Sequence, residues 1–226
     1  MLTLAIDTST NILSVALVDA DKVLAGVNEQ TKNNQSEILM SRIERMMVEC
    51  SLRPTDLERI AVAIGPGSYT GIRVGVAAAK SLAYALGIPV VSLSSLEVMA
   101  MAAVPYDLRI PMIDARRGAV FAGVYDYDGT NIVADRHVTL EQLIDKLIPN
   151  LFKNDMISFI GDGALIHKEI LLKKWPDAQV VSESEFMRCK AEILAELTTK
   201  ALRVENVHGL NPSYLRKTEA QINAGV

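Results

Sequence analysis

Metal ligands are scarce in this sequence. Its three histidines, His137, His167 and His208, stand apart from one another and from the only two cysteines, Cys50 and Cys189. No pair falls at the spacing that sets two ligands on one helix face, so surface or capping histidines are expected and no metal site is. The separated cysteines are expected to be reduced thiols. A basic stripe is also lacking. Lys and Arg number 23 against 27 Asp and Glu, a net charge of −4, which argues against a chain that grips nucleic acid by itself. There is no GxSxG elbow and no Ser or Cys with a recognisable base partner, so no catalytic residue is assigned. No apolar run approaches the ~20 residues of a membrane span. Residues 1–7 have no cationic n-region and meet an acid at Asp7; a first strand of a cytoplasmic protein is expected there, with no signal peptide and no membrane partner.

What remains is an ordinary globular balance: half of the 226 residues are apolar and 22% are charged, enough for one large core or two small ones. Strands are expected over 2–6, 12–18 and 22–28, joined by turn residues at Asp7-Thr8-Ser9-Thr10-Asn11 and Asp19-Ala20-Asp21. A helix follows over 36–50, with Leu39, Ile43, Met46, Met47 and Cys50 on one face. A strand over 59–64 runs into Gly65-Pro66-Gly67, and Ser68 N-caps a helix that Gly87 and Pro89 stop near residue 86. After a strand over 90–93, Ser94 and Glu97 form a capping box for a helix to residue 103. The second half repeats the order, with strands over 109–113, 119–125 and about 132–137, and a helix capped by Thr139 and Gln142 up to about 147. A strand over 156–160 then ends in Gly161-Asp162-Gly163, and a last helix runs from about 190 to 205. Strand-strand-strand-helix-strand-helix therefore occurs twice, with Asp7 and Asp114 each at a first turn. The expected break lies near Val104-Pro105, giving domains 1–103 and 104–226, the last ~15 residues free to pack back on the first.

This order resembles the actin, sugar-kinase and Hsp70 (ASKHA) superfamily, an α/β fold of two ribonuclease-H-like domains with mixed central sheets. That resemblance carries no function by itself. It implies that Asp7, Thr8 and Ser9, Asp114, and Gly161 with Gly163 mark turns that would face a nucleotide and its metal. Here Asp114 is followed by Ala115-Arg116-Arg117, with long cationic side chains where close backbone approach would be needed. These turns are therefore expected to be vestigial, Asp7 accepting N–H bonds within its own turn.

The helix over 71–86 has a broader apolar arc, roughly 200°, than the ≳100° of a one-sided surface helix. Ile72, Val76 and Leu86 are expected on its own sheet, and Val74, Ala78 and Leu82 on a second side. Gly71, Gly75, Ala79 and Ala83 recur every four residues, a ridge on which another helix could approach closely. The helix over 36–50 offers adaptable Met40, Met46 and Met47 beside it. The expected partner interface is Leu39, Met40, Ile43, Met47, Gly71, Val74, Gly75, Ala78 and Leu82. A bulky residue at Gly75 or Ala78 is expected to block association and leave the monomer folded.

The segment from Gly65 to Gly75, GPGSYTGIRVG, closely resembles the signature of the bacterial TsaB (YeaZ) family. Ile6-Asp7-Thr8-Ser9, Ile113-Asp114-Ala115-Arg116-Arg117-Gly118 and Pro212-Ser213-Tyr214-Leu215-Arg216 agree in order and spacing. The resemblance implies a noncatalytic dimerisation subunit of the machinery that places threonylcarbamoyl on N6 of adenosine 37 in ANN-decoding tRNAs. Its implied partners are a TsaD-like catalytic paralogue bound through these helices, a TsaE-like ATPase on that pair, tRNA through the complex, and a second copy when alone. No cofactor is expected in this chain; ATP or ADP and metal belong to the partners. Family members often carry a histidine where Gln35 stands here. The opposing readings are a self-sufficient ASKHA-type ATPase and an M22-like glycopeptidase, for which the residues supply neither metal ligands nor a nucleophile.

Overall fold

Large and small side chains alternate along the first strands, and this alternation assigns their two faces to different helices. In a computed structural model of the chain, β1 (Leu2–Asp7) pairs antiparallel with β2 (Ile12–Asp19), which pairs with β3 (Lys22–Gln30). β4 (Arg59–Ala63) lies parallel to β1, and β5 (Val90–Leu93) parallel to β4. Leu4, Ile6, Leu13, Val15, Leu17, Ile60 and Val62 face α1 (Gln35–Glu49) and α2 (Tyr69–Leu86). The opposite face is mostly alanine: Ala5, Ala16, Ala61 and Ala63, with Val18. Against it lie Val98 of α3 (Ser95–Ala102) and Ala191, Leu194 and Ala195 of α7 (Lys190–Lys200). The structure describes residues 1–31, 34–103, 106–147, 156–182, 185, 190–200 and 204–215. The expected break at Val104-Pro105, Cys189 and Arg216 lie outside these.

A second sheet repeats the first. β6 (Leu108–Asp114), β7 (Ala119–Asp126) and β8 (Asn131–Thr139) are antiparallel, and β9 (Ile157–Ile160) and β10 (Gln179–Val181) continue in parallel from β6. With β11 (Val204–Glu205) at its edge, the first sheet has the order β11-β5-β4-β1-β2-β3 and the second β10-β9-β6-β7-β8; both share one plan, third-second-first-fourth-fifth strand, with one strand added to the first. The internal duplication is thus present in the topology. The fold is α/β of the ASKHA type, with two ribonuclease-H-like units.

α4 (Leu140–Gln142) has the expected Thr139–Gln142 capping box, then passes into a π turn over Leu143–Leu147. Three short elements, α5 (Asp162–Ile166), α6 (Lys168–Lys174) and β10, are additional to those expected from the sequence. The last helix is described over Lys190–Lys200 and does not extend to the expected 205. Val204–Glu205 instead forms β11, which pairs with β5 at the sheet edge. Both α7 and β11 therefore belong to the first sheet. Beyond β11 it straps along α2: Leu210 is buried in the first core, and Lys80 Nζ donates to the carbonyls of His208 and Leu210 at 3.3 and 3.0 Å. Ser213 N–H then reaches the Ile64 carbonyl at 2.8 Å. None of the described helices is long and apolar enough to cross a membrane.

α3 joins the two units. Its Leu96, Met99 and Ala100 share a core with Ile113, Ala119, Phe121, Tyr125 and Ile160 of the second. At its start, Ser94 accepts from Leu96 N–H at 3.2 Å and donates its hydroxyl to Asp135. The same carboxylate takes the Tyr125 hydroxyl at 2.6 Å. Burial, seconded by the Asp135 charge, raises the Tyr125 pKa far above the usual phenol value. An unfolded tyrosine ionises near pH 10 while Tyr125 keeps its proton, so its contribution is intact below about pH 10 and falls above it by about 1.4 kcal/mol per pH unit. Urea unfolding between about pH 9 and 11.5 should therefore show a steeper loss in the wild type than in Tyr125→Phe. Equal slopes would mean that the phenol ionises freely in the folded chain.

Candidate functional sites: the interlobe cleft and the outer face of the second helix

The carboxyl ends of β1 and β4 in one unit and of β6 and β9 in the other open onto a common cleft of about 640 Å³. Carboxyl ends of parallel strands are where α/β sheets ordinarily hold ligands. On the first side, Asp7 Oδ1 accepts the Ser9 N–H at 2.8 Å and the Ser9 hydroxyl at 2.6 Å, the turn bond read from the sequence. Ser68 caps α2 through Gly71 N–H at 3.2 Å, as its position before the helix suggests, and its own N–H reaches the Ser9 carbonyl at 2.7 Å. Thr8 donates its hydroxyl to the Gly71 carbonyl at 2.7 Å. This turn lies so close to α2 that a Cβ on Gly67 would strike the Ser9 carbonyl and one on Gly71 the Thr8 carbonyl.

The opposite wall repeats the first turn with a different outcome. Asp114 Oδ1 accepts the Arg116 N–H at 2.9 Å, and Asp162 Oδ1 accepts the Asp114 N–H at 3.0 Å. Arg116 and Arg117 adopt left-handed φ of 67° and 55°. The Arg116 side chain is 85% exposed and meets Asp114 at 3.3 Å. Gly161 and Gly163 serve packing, since a Cβ at Gly161 would stand 2.6 Å from the Met112 carbonyl and one at Gly163 3.0 Å from the Met112 backbone. Gln35, buried beside the cleft, donates to the Thr10 carbonyl at 2.8 Å. Tyr69 and Tyr214 stack at 5.0 Å at the rim.

One contact joins residues with no local signature for each other in the sequence. Lys190, at the start of α7, sends its ammonium to within 3.4 Å of Asp7 Oδ2, with side-chain exposures of 1% and 0%. It also donates to Thr10 Oγ1 at 2.9 Å. Removing one member of such a buried pair typically costs about 3–5 kcal/mol, because the other charge is left alone. The available signal was a lysine heading the apolar face that continues through Leu194. No group of three or more His, Cys, Asp or Glu that could hold a metal occurs among the described residues. Cys50 is a free thiol.

The nine residues expected on a partner face divide. Leu39, Ile43, Met47, Gly71 and Gly75 are buried in the chain's own first unit. Met40 is 48% exposed, and Val74, Ala78 and Leu82 are half-buried, each packing partly against the first core and partly open to solvent. The small-residue ridge is thus corrected: Gly71, Gly75, Ala79 and Ala83 face inward, and a Cβ on Gly75 would strike the Thr8 hydroxyl. Gly75 therefore gives no clean test of association, contrary to the expectation for its bulky replacement. Near the start of α2, a groove of about 340 Å³ runs past Tyr69, Thr70, Arg73, Val74 and Ala77. Arg73 covers the Tyr69 ring at 5.3 Å.

Residues 23–224 match the family model described as TsaD: tRNA N6-adenosine threonylcarbamoyltransferase. The chain is 36% identical over 225 residues to the tRNA threonylcarbamoyladenosine biosynthesis protein TsaB of Bacillus subtilis (strain 168), covering 98% of this chain and 96% of that one. It is 27% identical to the protein of the same name in Haemophilus influenzae, over 94% and 92% of the two chains. Among solved structures it is similar to YeaZ from Pseudomonas aeruginosa, with a TM-score of 0.77 and 23% identity over 95% and 99% of the chains.

The contact between the first turn and α2 has a direct consequence. Gly71→Ala should destabilise the chain by about 1–3 kcal/mol, since a backbone carbonyl cannot yield as a side chain can. Chemical denaturation of purified protein measures it. A loss under about 0.5 kcal/mol, the scale of an ordinary surface change, would show that the turn has room to move.

Proposed function

The chain belongs to the TsaB (YeaZ) family, and we propose that it is the noncatalytic pairing subunit that lays the outer sides of α1 and α2 on matching helices of a TsaD-like paralogue. Its role lies in the biosynthesis of threonylcarbamoyladenosine in tRNA. Transfer of threonylcarbamoyl to N6 of adenosine 37 is then the work of the TsaD-like partner. The metal and ATP or ADP sit on partner subunits, with a TsaE-like ATPase docking on the pair and tRNA bound through the whole complex. In the partner's absence the same face supports a homodimer.

The observation that carries this reading is the outer strip of α2. Val74, Ala78 and Leu82 are half-buried, Ala77 is exposed, and exposed Met40 of α1 lies in the neighbouring helix. Of the two charged side chains in α2, Lys80 is engaged by the carbonyls of His208 and Leu210, and Arg73 lies over Tyr69. The strip between them is therefore uncharged and accessible, the character of an interface core rather than of ordinary surface.

Ala78→Arg tests it. Arginine is a good helix former and Ala78 has an open side, so monomer stability should stay within about 1 kcal/mol of wild type. Affinity for the TsaD-like protein should fall at least about tenfold, and a reconstituted reaction should lose most of its tRNA modification. Wild-type affinity and modification with a folded Ala78→Arg chain would place the partner on another face.

A further inference from the structure

Asp7 has no exposed surface, and its two oxygens are held differently. Oδ1 takes both bonds from Ser9, whereas Oδ2 accepts no hydrogen bond and faces the Lys190 ammonium at 3.4 Å. A carboxylate shut away from water requires a cation beside it. The ASKHA fold suggests a divalent metal carrying nucleotide phosphates in this cleft, but the residues present do not fit one. The Asp7 oxygen that a metal would use already faces an ammonium, and a dication brought to it would be repelled by that ammonium. Arg116 is the cationic side chain among the described cleft-lining residues, and it is turned outward onto Asp114. Polyphosphate entering the cleft would meet the carboxylates of Asp114 and Asp162 instead.

We propose that the Lys190 ammonium is the resident cation of the Asp7 turn, holding the place of a divalent metal and closing the interlobe cleft to metal-chelated polyphosphates. The fold makes this possible because α7 returns to the first sheet. Its alanine-lined bed lets the helix sit low enough for Lys190 to reach both Asp7 and Thr10 from beneath the cleft floor. The cation is covalently part of the chain, so its presence does not depend on metal concentration. This inference is independent of which face meets the partner.

The test uses the full chain with Mn²⁺ as probe, free metal being counted by electron paramagnetic resonance. Wild type should show no site that Asp7→Asn removes, with or without ATP. Lys190→Ala should gain one Mn²⁺ per chain, at least about tenfold tighter than any wild-type binding, and Asp7→Asn/Lys190→Ala should lose it. An Asp7-dependent Mn²⁺ site in the wild type overturns the proposal, as does a folded Lys190→Ala chain without the gain. Because either single change could unfold the chain, urea midpoints of Asp7→Asn, Lys190→Met and the pair provide a second reading. If Lys190 exists to neutralise Asp7, the double variant is less destabilised than the two singles together, or folds where a single does not. Additive losses overturn the proposal.

Discussion

The turn after β1 has almost no free space, and much of the first unit is arranged around that confinement. Its upper side is pressed against α2, where the Ser9 carbonyl takes the Ser68 N–H and the Thr8 hydroxyl reaches Gly71. Beneath, Asp7 and Thr10 receive Lys190 from a helix 180 residues later in the chain. One tight turn thus binds β1, α2 and α7 together. It also explains two of the three glycines of the GPGSYTG segment, since Gly67 and Gly71 stand where any Cβ would meet a carbonyl of the turn. Glycines that elsewhere would admit a phosphate here admit another part of the same chain.

The two units share a strand plan but differ in their energetics. Asp7 and Asp114 each accept an N–H two residues on, a bond that the order of residues alone dictates. Their counter-ions differ in kind. Arg116 is 85% exposed, and such a pair is worth about 0–1 kcal/mol because water and salt screen it. Lys190 is sealed from water, where the loss of either partner strands a charge. The added strand β11 and the strap that follows it likewise belong to the first unit. The duplication is therefore one of topology, with the first unit reinforced by chain drawn from the end of the sequence.

Local rules read well in this sequence. The Ser68 cap, the Thr139–Gln142 box, the Asp7 turn and the alternation in β1 and β2 each depend on neighbours a few residues apart. What stayed hidden depends on distant partners or on direction. A four-residue repeat of small side chains defines a line along α2 but not what that line faces, and here it faces Thr8. Of the expected interface, Val74, Ala78, Leu82 and Met40 are accessible, while Leu39, Ile43 and Met47 are absorbed by the core of their own sheet. Lys190 was invisible as a functional residue because its carboxylate partner is at the other end of the chain. α5 and α6 are too short to develop a helical period, and Gly161 and Gly163 beside them suggest only a turn.

The wide apolar arc of α2 divides into three sectors with different coverings. Ile72, Val76, Ala79 and Ala83 are buried in the first unit. Lys80 and Tyr84 meet the strap, through its carbonyls and through the ring of His208 at 5.7 Å. The third sector, through Val74, Ala78 and Leu82, remains partly open to solvent. A helix held on two sides presents its third without having to reorganise, so burying that strip costs little ordering entropy. The close turn on one side and the strap on the other thus hold α2 in place, which is what the proposed association requires. Behind the cleft, the buried Asp7 carboxylate of the first turn has its counter-charge in Lys190 of the same chain.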